Sequence, residues 1–108
     1  MTDDCRIYGS DRDETLFAVV DPVDYQWALQ WRWSPKWSRG GTKVYLRRVA
    51  HEGTRVCRVQ RTVWLHREIV IVRMGIVPPT PEHTMVDHED GDEMNCRRIN
   101  LRWATPSM

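Results

Sequence analysis

Two turn segments divide the middle of this chain into three short runs of β-forming residues, and this pattern constrains the fold more than any other. The turns are residues 39–42 (RGGT) and 51–54 (HEGT), and the runs are residues 33–37, 43–49 and 55–62. Short glycine-containing turns commonly join neighbouring antiparallel strands. The sequence therefore predicts a three-stranded antiparallel sheet, and Pro35 marks its first strand as an edge or bulged strand.

A helical pattern follows this sheet directly, over residues 63–74. Its apolar positions recur at helical spacing and are Leu65, Ile69, Val72 and Ile76. Gly75 stands where a helix commonly ends. We expect the apolar stripe to pack across the sheet. His66 falls on the polar side of this helix, where it could contact a phosphate, support a neighbouring site or be an ordinary packed or solvated histidine.

The flanking segments differ in composition and suggest how the chain is organised. Acidic residues without periodicity predict a loose N-terminal segment, and three prolines close together predict an extended linker. The expected divisions are a flexible acidic arm (residues 1–14), a basic sheet-plus-helix module (15–76), for which the charge described below indicates a nucleic-acid-binding role, a proline-rich linker (77–83) and a second module (84–108). Within the first module, a strand over residues 16–20 and a short helix over residues 24–31 precede the sheet.

Composition excludes several classes of protein. No apolar run reaches the ~18–20 residues that a membrane-spanning helix needs, and the N-terminus lacks the basic and then apolar order of a signal peptide. The three cysteines (Cys5, Cys57 and Cys96) are odd in number and widely spaced, which argues against a disulfide framework and against structural zinc. These observations predict a soluble, cytoplasmic protein with no membrane partner.

The small net charge of +1 hides a strong segregation of charge. Residues 1–24 have seven acidic and two basic side chains, residues 25–75 have eleven basic and two acidic ones, and residues 76–108 have six acidic and three basic ones. A basic middle segment is typical of a domain that binds a polyanion, and an unevenly charged solvated surface is the alternative. The cations expected to contact nucleic acid are Arg39, Lys43, Arg47, Arg48, Arg55, Arg58 and Arg61.

The second module contains the most specific combination of side chains. Residues 84–88 and 101–105 are expected to be two strands, joined through the turn around Gly91, that bring Asn100 beside His88. Asp87, His88 and Asn100 would then offer a carboxylate, an imidazole and a carboxamide, the groups that metal-assisted phosphodiester hydrolysis needs. Alternatively, Asp87 and His88 form only a structural pair, in which the carboxylate fixes the imidazole at a turn.

Several blocks of sequence, in this order, resemble a known family. The residues DH at 87–88, GD at 91–92 and RRINLRWAT at 97–105 resemble the HNH endonucleases of phage and homing type. Upstream, LFAVVDPVDYQWALQWRW, VYLRRV and VWLHREIV resemble the basic sheet-plus-helix module that often precedes this motif. That module is similar to the plant ethylene-response (apetala-2) type of DNA-binding domain. The resemblance covers residues 16–108.

The resemblance implies an α+β fold, in which a small three-stranded antiparallel sheet plus helix is followed by a ββ(α)-metal hairpin of HNH type. It implies that Asp87 coordinates a catalytic Mg²⁺ or Mn²⁺ ion, that His88 is the general base, and that Asn100 holds His88 through its side-chain carbonyl. The family's last His or Asn would fall one residue after Met108. Most of the final helix and the second protein ligand are therefore expected to be missing, and the ion to be weakly bound.

Three functions remain open on the sequence alone. The first is an HNH-type metal-dependent DNA endonuclease. The second is a catalytically degenerate relative that binds DNA, RNA or a ribonucleoprotein without cutting it. The third is an inhibitor or assembly subunit, whose acidic turn would contact a protein partner.

Overall fold

Three small antiparallel sheets and a few short helices form the chain in this computed structural model, which describes residues 5–106. The strands are β1 (Arg6–Tyr8), β2 (Phe17–Val19), β3 (Ser34–Trp37), β4 (Val44–Gly53), β5 (Arg58–Trp64), β6 (Met85–His88) and β7 (Leu101–Ala104). The helices are α1 (Pro22–Ala28), α2 (Leu65–Glu68), a π turn (Ile69–Arg73) and a 3-10 turn (Arg98–Asn100). The expected α+β class is confirmed. None of these helices is long and apolar enough to cross a membrane.

The predicted three-stranded sheet is present, with β4 between β3 and β5. Its second turn lies further along the chain than expected, because Thr54 N–H donates to the Cys57 carbonyl over 2.8 Å. The Thr54 hydroxyl oxygen also accepts hydrogen bonds from the backbone N–H groups of Val56 and Cys57. Threonine side chains commonly organise turns in this way. Residues 51–53 consequently extend β4 instead of forming the turn.

Part of the expected flexible arm is a strand. Arg6–Tyr8 forms β1, which pairs antiparallel with β2, and Ile7 lies in the core with 2% of its surface exposed. A three-residue strand is too short to show an alternating pattern, and the acidic residues around it hide its single core side chain. The first four residues of the arm lie outside the described range.

Helix α2 and the π turn replace the regular helix predicted over residues 63–74. Met74 N–H donates to the Ile69 carbonyl, five residues earlier, over 2.8 Å, which is the spacing of a π turn. The wider turn changes which side chains face inward. Among the apolar side chains, Leu65, Ile69 and Val70 are buried, whereas Val72 and Ile76 are exposed. Gly75, with a φ of +68°, ends the segment as predicted.

One cluster of buried apolar side chains joins the segments before and after residues 77–83. It includes Ile7, Leu46, Leu65, Leu101 and Trp103. Backbone hydrogen bonds add to this packing, since Val19 N–H donates to the Met94 carbonyl and Cys96 N–H donates to the Val19 carbonyl, each over 2.8 Å. Strand β2 therefore holds the loop that connects β6 to β7.

A buried carboxylate links helix α1 to the π turn and to the 3-10 turn. Asp24 of α1 is fully buried and accepts a hydrogen bond from Arg73 Nε over 3.0 Å. It accepts two more from Arg98, over 2.9 Å from Nε and 2.7 Å from Nη2. A buried charge is tolerated only when it is paired. These two arginines therefore fix the π turn and the 3-10 turn against α1.

Candidate active site and nucleic-acid interface

The β6–β7 hairpin is the element that positions the three candidate catalytic residues. The two strands pair antiparallel, with Asp87 opposite Arg102 and His88 opposite Leu101. This is the hairpin that the sequence predicts over residues 84–88 and 101–105. Asn100 directly precedes β7, and its carbonyl accepts a hydrogen bond from Glu89 N–H over 2.7 Å. All three residues thus lie at the same end of the hairpin.

The Asn100 side chain is buried and organises the loop between the two strands. Its Nδ2 donates to Asp90 Oδ1 and to the Asn95 carbonyl, and its Oδ1 accepts from Asp90 N–H, each over 2.9 Å. Asn95 Nδ2 adds a bond of 2.9 Å to the second Asp90 oxygen. The Asn95 hydrogen bond is the main reason that the pKa of Asp90 is below its usual value. Asn100 is therefore a loop-fixing residue.

The expected bond from the Asn100 side-chain carbonyl to His88 is not what the structure shows. That carbonyl oxygen faces the Asp90 amide, and both hydrogens of the carboxamide are used within the loop. The reason is that groups of the loop compete with His88 for the hydrogen bonds of the Asn100 carboxamide. The loop between the strands folds over Asn100 and supplies two acceptors and one donor close to the carboxamide, so its hydrogen-bonding groups turn toward the loop and not toward the imidazole.

His88 is buried among aromatic side chains. Its ring centroid is 5.0 Å from that of His66 and 6.0 Å from that of Tyr45, and its Nε2 is 3.9 Å from Cys96 Sγ. Burial lowers the pKa of His88, while the nearby carboxylates of Glu93 and Asp87 oppose that shift. The imidazole is therefore neutral at pH 7 and able to accept a proton.

His66 lies in the same buried group and not on a solvated helix face. It is 8% exposed and its ring contacts those of Tyr45, Trp64 and His88. Burial, more than the neighbouring His88 and Arg67, lowers the pKa of His66 to about 3. Of the roles considered for His66, the structure favours packing that supports the hairpin. Tyr45, Trp64 and Cys96 were not singled out by sequence reasoning, since nothing in their spacing points to His88.

Asp87 and His88 are neighbours on a strand, where successive side chains point to opposite faces. The Asp87 side chain is 47% exposed, and its Oδ2 is 3.3 Å from Arg102 Nη2. Mg²⁺ prefers oxygen ligands and keeps several waters, so this carboxylate is a chemically suitable ligand. Within residues 5–106, no group of three His, Cys, Asp or Glu side chains is arranged to hold a metal ion.

The strand register sorts the predicted nucleic-acid contacts between the two faces of the three-stranded sheet. Directly paired residues share a face, and one face contains only neutral and basic side chains. We call this the cationic face; its members on the strands are Ser34, Lys36, Tyr45, Arg47, Val49, His51, Gly53, Arg58, Gln60, Thr62 and Trp64. Arg47 and Arg58 therefore lie on one face, and Lys43, two residues before Tyr45, extends it.

Two of the other predicted cations lie on the opposite face and have partners within the protein. The Arg48 guanidinium lies 4.1 Å from the centre of the Trp31 ring, and Arg61 Nε donates to Glu52 Oε1 over 3.0 Å. Cation–π contact and ion pairing both reduce the tendency of these arginines to bind phosphate. Arg39 and Arg55 lie in the two turns of the sheet.

The outer half of β4 and β5 extends away from the core as a two-stranded ribbon. Every residue from 51 to 62 is exposed, and cross-strand pairing continues to Gly53 and Arg58. A free ribbon of this kind has both faces in solvent. Its width is suited to the major groove of B-DNA, which admits either an α-helix or a two-stranded β-ribbon.

A scan against protein-family models and searches of curated proteins and of solved structures gave no significant match to this chain.

Proposed function

We propose that this chain binds DNA through the cationic face and presents the β6–β7 hairpin to the phosphodiester backbone. The observation that supports binding best is the absence, within the described strands, of any acidic side chain on that face. Arg47, Arg58 and Lys43 would neutralise phosphates, and the ribbon would enter the major groove. The proposal includes an intracellular location, where such a partner is found.

The binding proposal is tested by the salt dependence of affinity for a DNA duplex, measured by fluorescence anisotropy. Each phosphate contact contributes roughly 0.9 to the slope of log K against log salt concentration. Arg58→Ala is expected to reduce this slope by about 1. Arg61→Ala is the matched control, because Arg61 is an exposed arginine of the same strand on the opposite face. Equal changes in the two variants would contradict binding through the cationic face.

A second candidate function, HNH-type endonuclease activity, is favoured by the position of Asp87, His88 and Asn100 at one end of the hairpin. In this mechanism the neutral His88 imidazole takes a proton from the attacking water, and Asn100 keeps the loop in place. Asp87 would hold Mg²⁺ or Mn²⁺. Such an ion stabilises the charge that develops on the scissile phosphate.

Nicking of supercoiled plasmid in Mg²⁺ or Mn²⁺, compared with EDTA, tests the second function. Asp87→Asn neutralises a half-exposed carboxylate and leaves the core filled, so its expected effect is loss of nicking with a normal fold. Glu89→Gln, which neutralises an exposed carboxylate two residues away, is expected to keep it. Metal-dependent nicking that survives in Asp87→Asn would contradict this assignment. DNA binding without nicking in any metal would leave the catalytically degenerate binding protein as the function.

RNA and protein partners are outcomes of the same experiments. A duplex RNA that competes as well as DNA would move the proposal to RNA or a ribonucleoprotein. Absence of salt-dependent binding to either nucleic acid would leave the inhibitor or assembly subunit, with a protein partner, as the remaining proposal.

A further inference from the structure

A small aromatic pocket lies where the cationic face meets the β6–β7 hairpin. It has a volume of about 230 Å³ and is lined by Tyr45, Trp64, His66, Arg67, Thr84, Met85 and Val86. Tyr45 and Trp64 belong to the cationic face, and Met85 and Val86 belong to β6. A nucleic acid that follows the cationic face from Arg58 past Arg47 would therefore arrive at this pocket.

The walls of the pocket suit a flat, uncharged ring. The Tyr45 and Trp64 rings are nearly perpendicular, at 83°, with centroids 6.1 Å apart. The centroid of the His66 ring is 5.3 Å from that of Tyr45. Met85 is half exposed at the rim and adds a polarisable thioether, which makes favourable contacts with aromatic rings. The volume is below the roughly 300–1,000 Å³ of pockets for drug-sized ligands, so a single heterocycle is the appropriate size.

The lining of the pocket includes one fixed cation, Arg67. Arg67 Nη1 donates to the Thr84 carbonyl over 3.0 Å, and its guanidinium lies 5.5 Å from the centre of the Trp103 ring. These contacts fix the guanidinium in the pocket lining, where it can meet the phosphate of a nucleotide whose base enters the pocket. A cation and aromatic rings in the same lining match the two halves of a nucleotide.

We propose that this pocket binds one unpaired nucleobase of the bound DNA. A base within a duplex is stacked on both sides and cannot reach the pocket, so the base must be extruded or single-stranded. The centroid of the His66 ring in the pocket wall is 5.0 Å from that of His88, so a bound base would contact a residue that packs against the candidate general base. This inference rests on the proposed binding of DNA and specifies how that DNA is held.

The test compares duplexes that contain one bulged nucleotide, one bulged abasic residue or no bulge. Base–aromatic stacking corresponds to a roughly 5- to 150-fold gain in affinity, so the bulged base is expected to bind at least fivefold more tightly than the abasic bulge. Trp64→Leu is expected to reduce this ratio to about one. Trp37→Leu is the control, because Trp37 is an exposed tryptophan of β3 that does not line the pocket.

Met85→Glu provides a second variant at an exposed position, in case Trp64→Leu does not fold. It places a negative charge at the rim and is expected to abolish the preference for the bulged base. Equal affinity for the base and abasic bulges, or a preference that survives in both variants, would overturn the pocket proposal. Competition by N-acetylphenylalaninamide but not by adenosine would also overturn it, since the occupant would then be an aromatic side chain of a protein partner.

The two proposals fail in different ways. If the unbulged duplex binds with the expected salt slope and only the base preference is missing, the pocket proposal is wrong and DNA binding stands. If no duplex binds, DNA binding itself is wrong.

Discussion

Replacing His66 by phenylalanine is expected to remove much of the acid sensitivity of the fold. His66 is buried, and its pKa falls from an ordinary value of 6.5 to about 3 in the folded protein. Because the unfolded chain binds this proton more tightly, the contribution of His66 to stability is complete above pH 6.5 and is lost as the pH falls toward 3. A phenyl ring at this position would fill a similar space and would not titrate.

The size of the effect follows from the two pKa values. At pH 8 the imidazole is neutral in both states, and at pH 5 it is neutral only in the folded state. The linkage relation gives a loss of about 2 kcal/mol in the free energy of unfolding between these pH values. His88, Arg67 and the other charged groups are present in both proteins, so the difference between them isolates most of the His66 contribution.

The measurement is urea unfolding, followed by tryptophan fluorescence, at several pH values between 5 and 8. The unfolding free energy of the wild-type protein should decrease with falling pH by about 2 kcal/mol more than that of His66→Phe. If the unfolding free energies of the two proteins change with pH in parallel, the proposed contribution of His66 is refuted. They would mean that His66 titrates normally and that the helix and the hairpin do not pack around it as described.

Three further predictions concern stability and thiol reactivity. Asp24→Asn should lower the unfolding free energy by about 2–3 kcal/mol in urea titrations. This is below the usual cost of breaking a buried pair, because the two arginines are near 30% exposed. Asp11→Asn breaks an exposed ion pair and should have no measurable effect; equal losses of stability in the two variants would contradict the buried position of Asp24. Gly75→Ala should lower the unfolding free energy by about 1 kcal/mol through its positive φ alone, since no described atom lies within 4 Å of the added Cβ. An unchanged midpoint of urea unfolding would contradict a positive φ at this position. Ellman's reagent should modify the exposed Cys57 quickly and Cys96 only after unfolding, because burial raises the pKa of the Cys96 thiol to about 12. Rapid modification of Cys96 in the folded protein would show that this part of the core is open to solvent.

The β-structure of the chain was largely predictable because its signals are local. Glycine turns and alternating side chains gave the three-stranded sheet, and the acidic turn around Gly91 gave the β6–β7 hairpin. The faces of β4 also follow from alternation, since Lys43, Tyr45 and Arg47 share one side. The position of the second turn did not follow, because a side-chain hydroxyl, that of Thr54, favoured a reversal at residues 54–57, which contain no glycine, over the glycine-containing residues 51–54.

The site was less predictable because its contacts depend on which partners the fold brings together. Asn100 was correctly placed at the end of the hairpin, yet its carboxamide bonds to the loop and not to His88. His66 was assigned to a polar helix face, but the fold places that face against Tyr45 and His88. Spacing in sequence identifies which face a side chain occupies. It does not identify which other element covers that face.

The π turn at Ile69–Arg73 gives this chain a single residue of spare length at the end of α2. Deletion of Ile71, which is 41% exposed, would allow an ordinary α-helix to continue. The bond from Met74 N–H to the Ile69 carbonyl would then have α-helical spacing, so the residues after it would keep their positions around the helix axis. Arg73 would keep its contact with Asp24. A regular α-helix that retained Ile71 would instead rotate every later position by about 100° and carry Arg73 away from Asp24. At the present chain length, helical regularity and the contact between residues 24 and 73 therefore exclude each other, and a one-codon deletion would make them compatible.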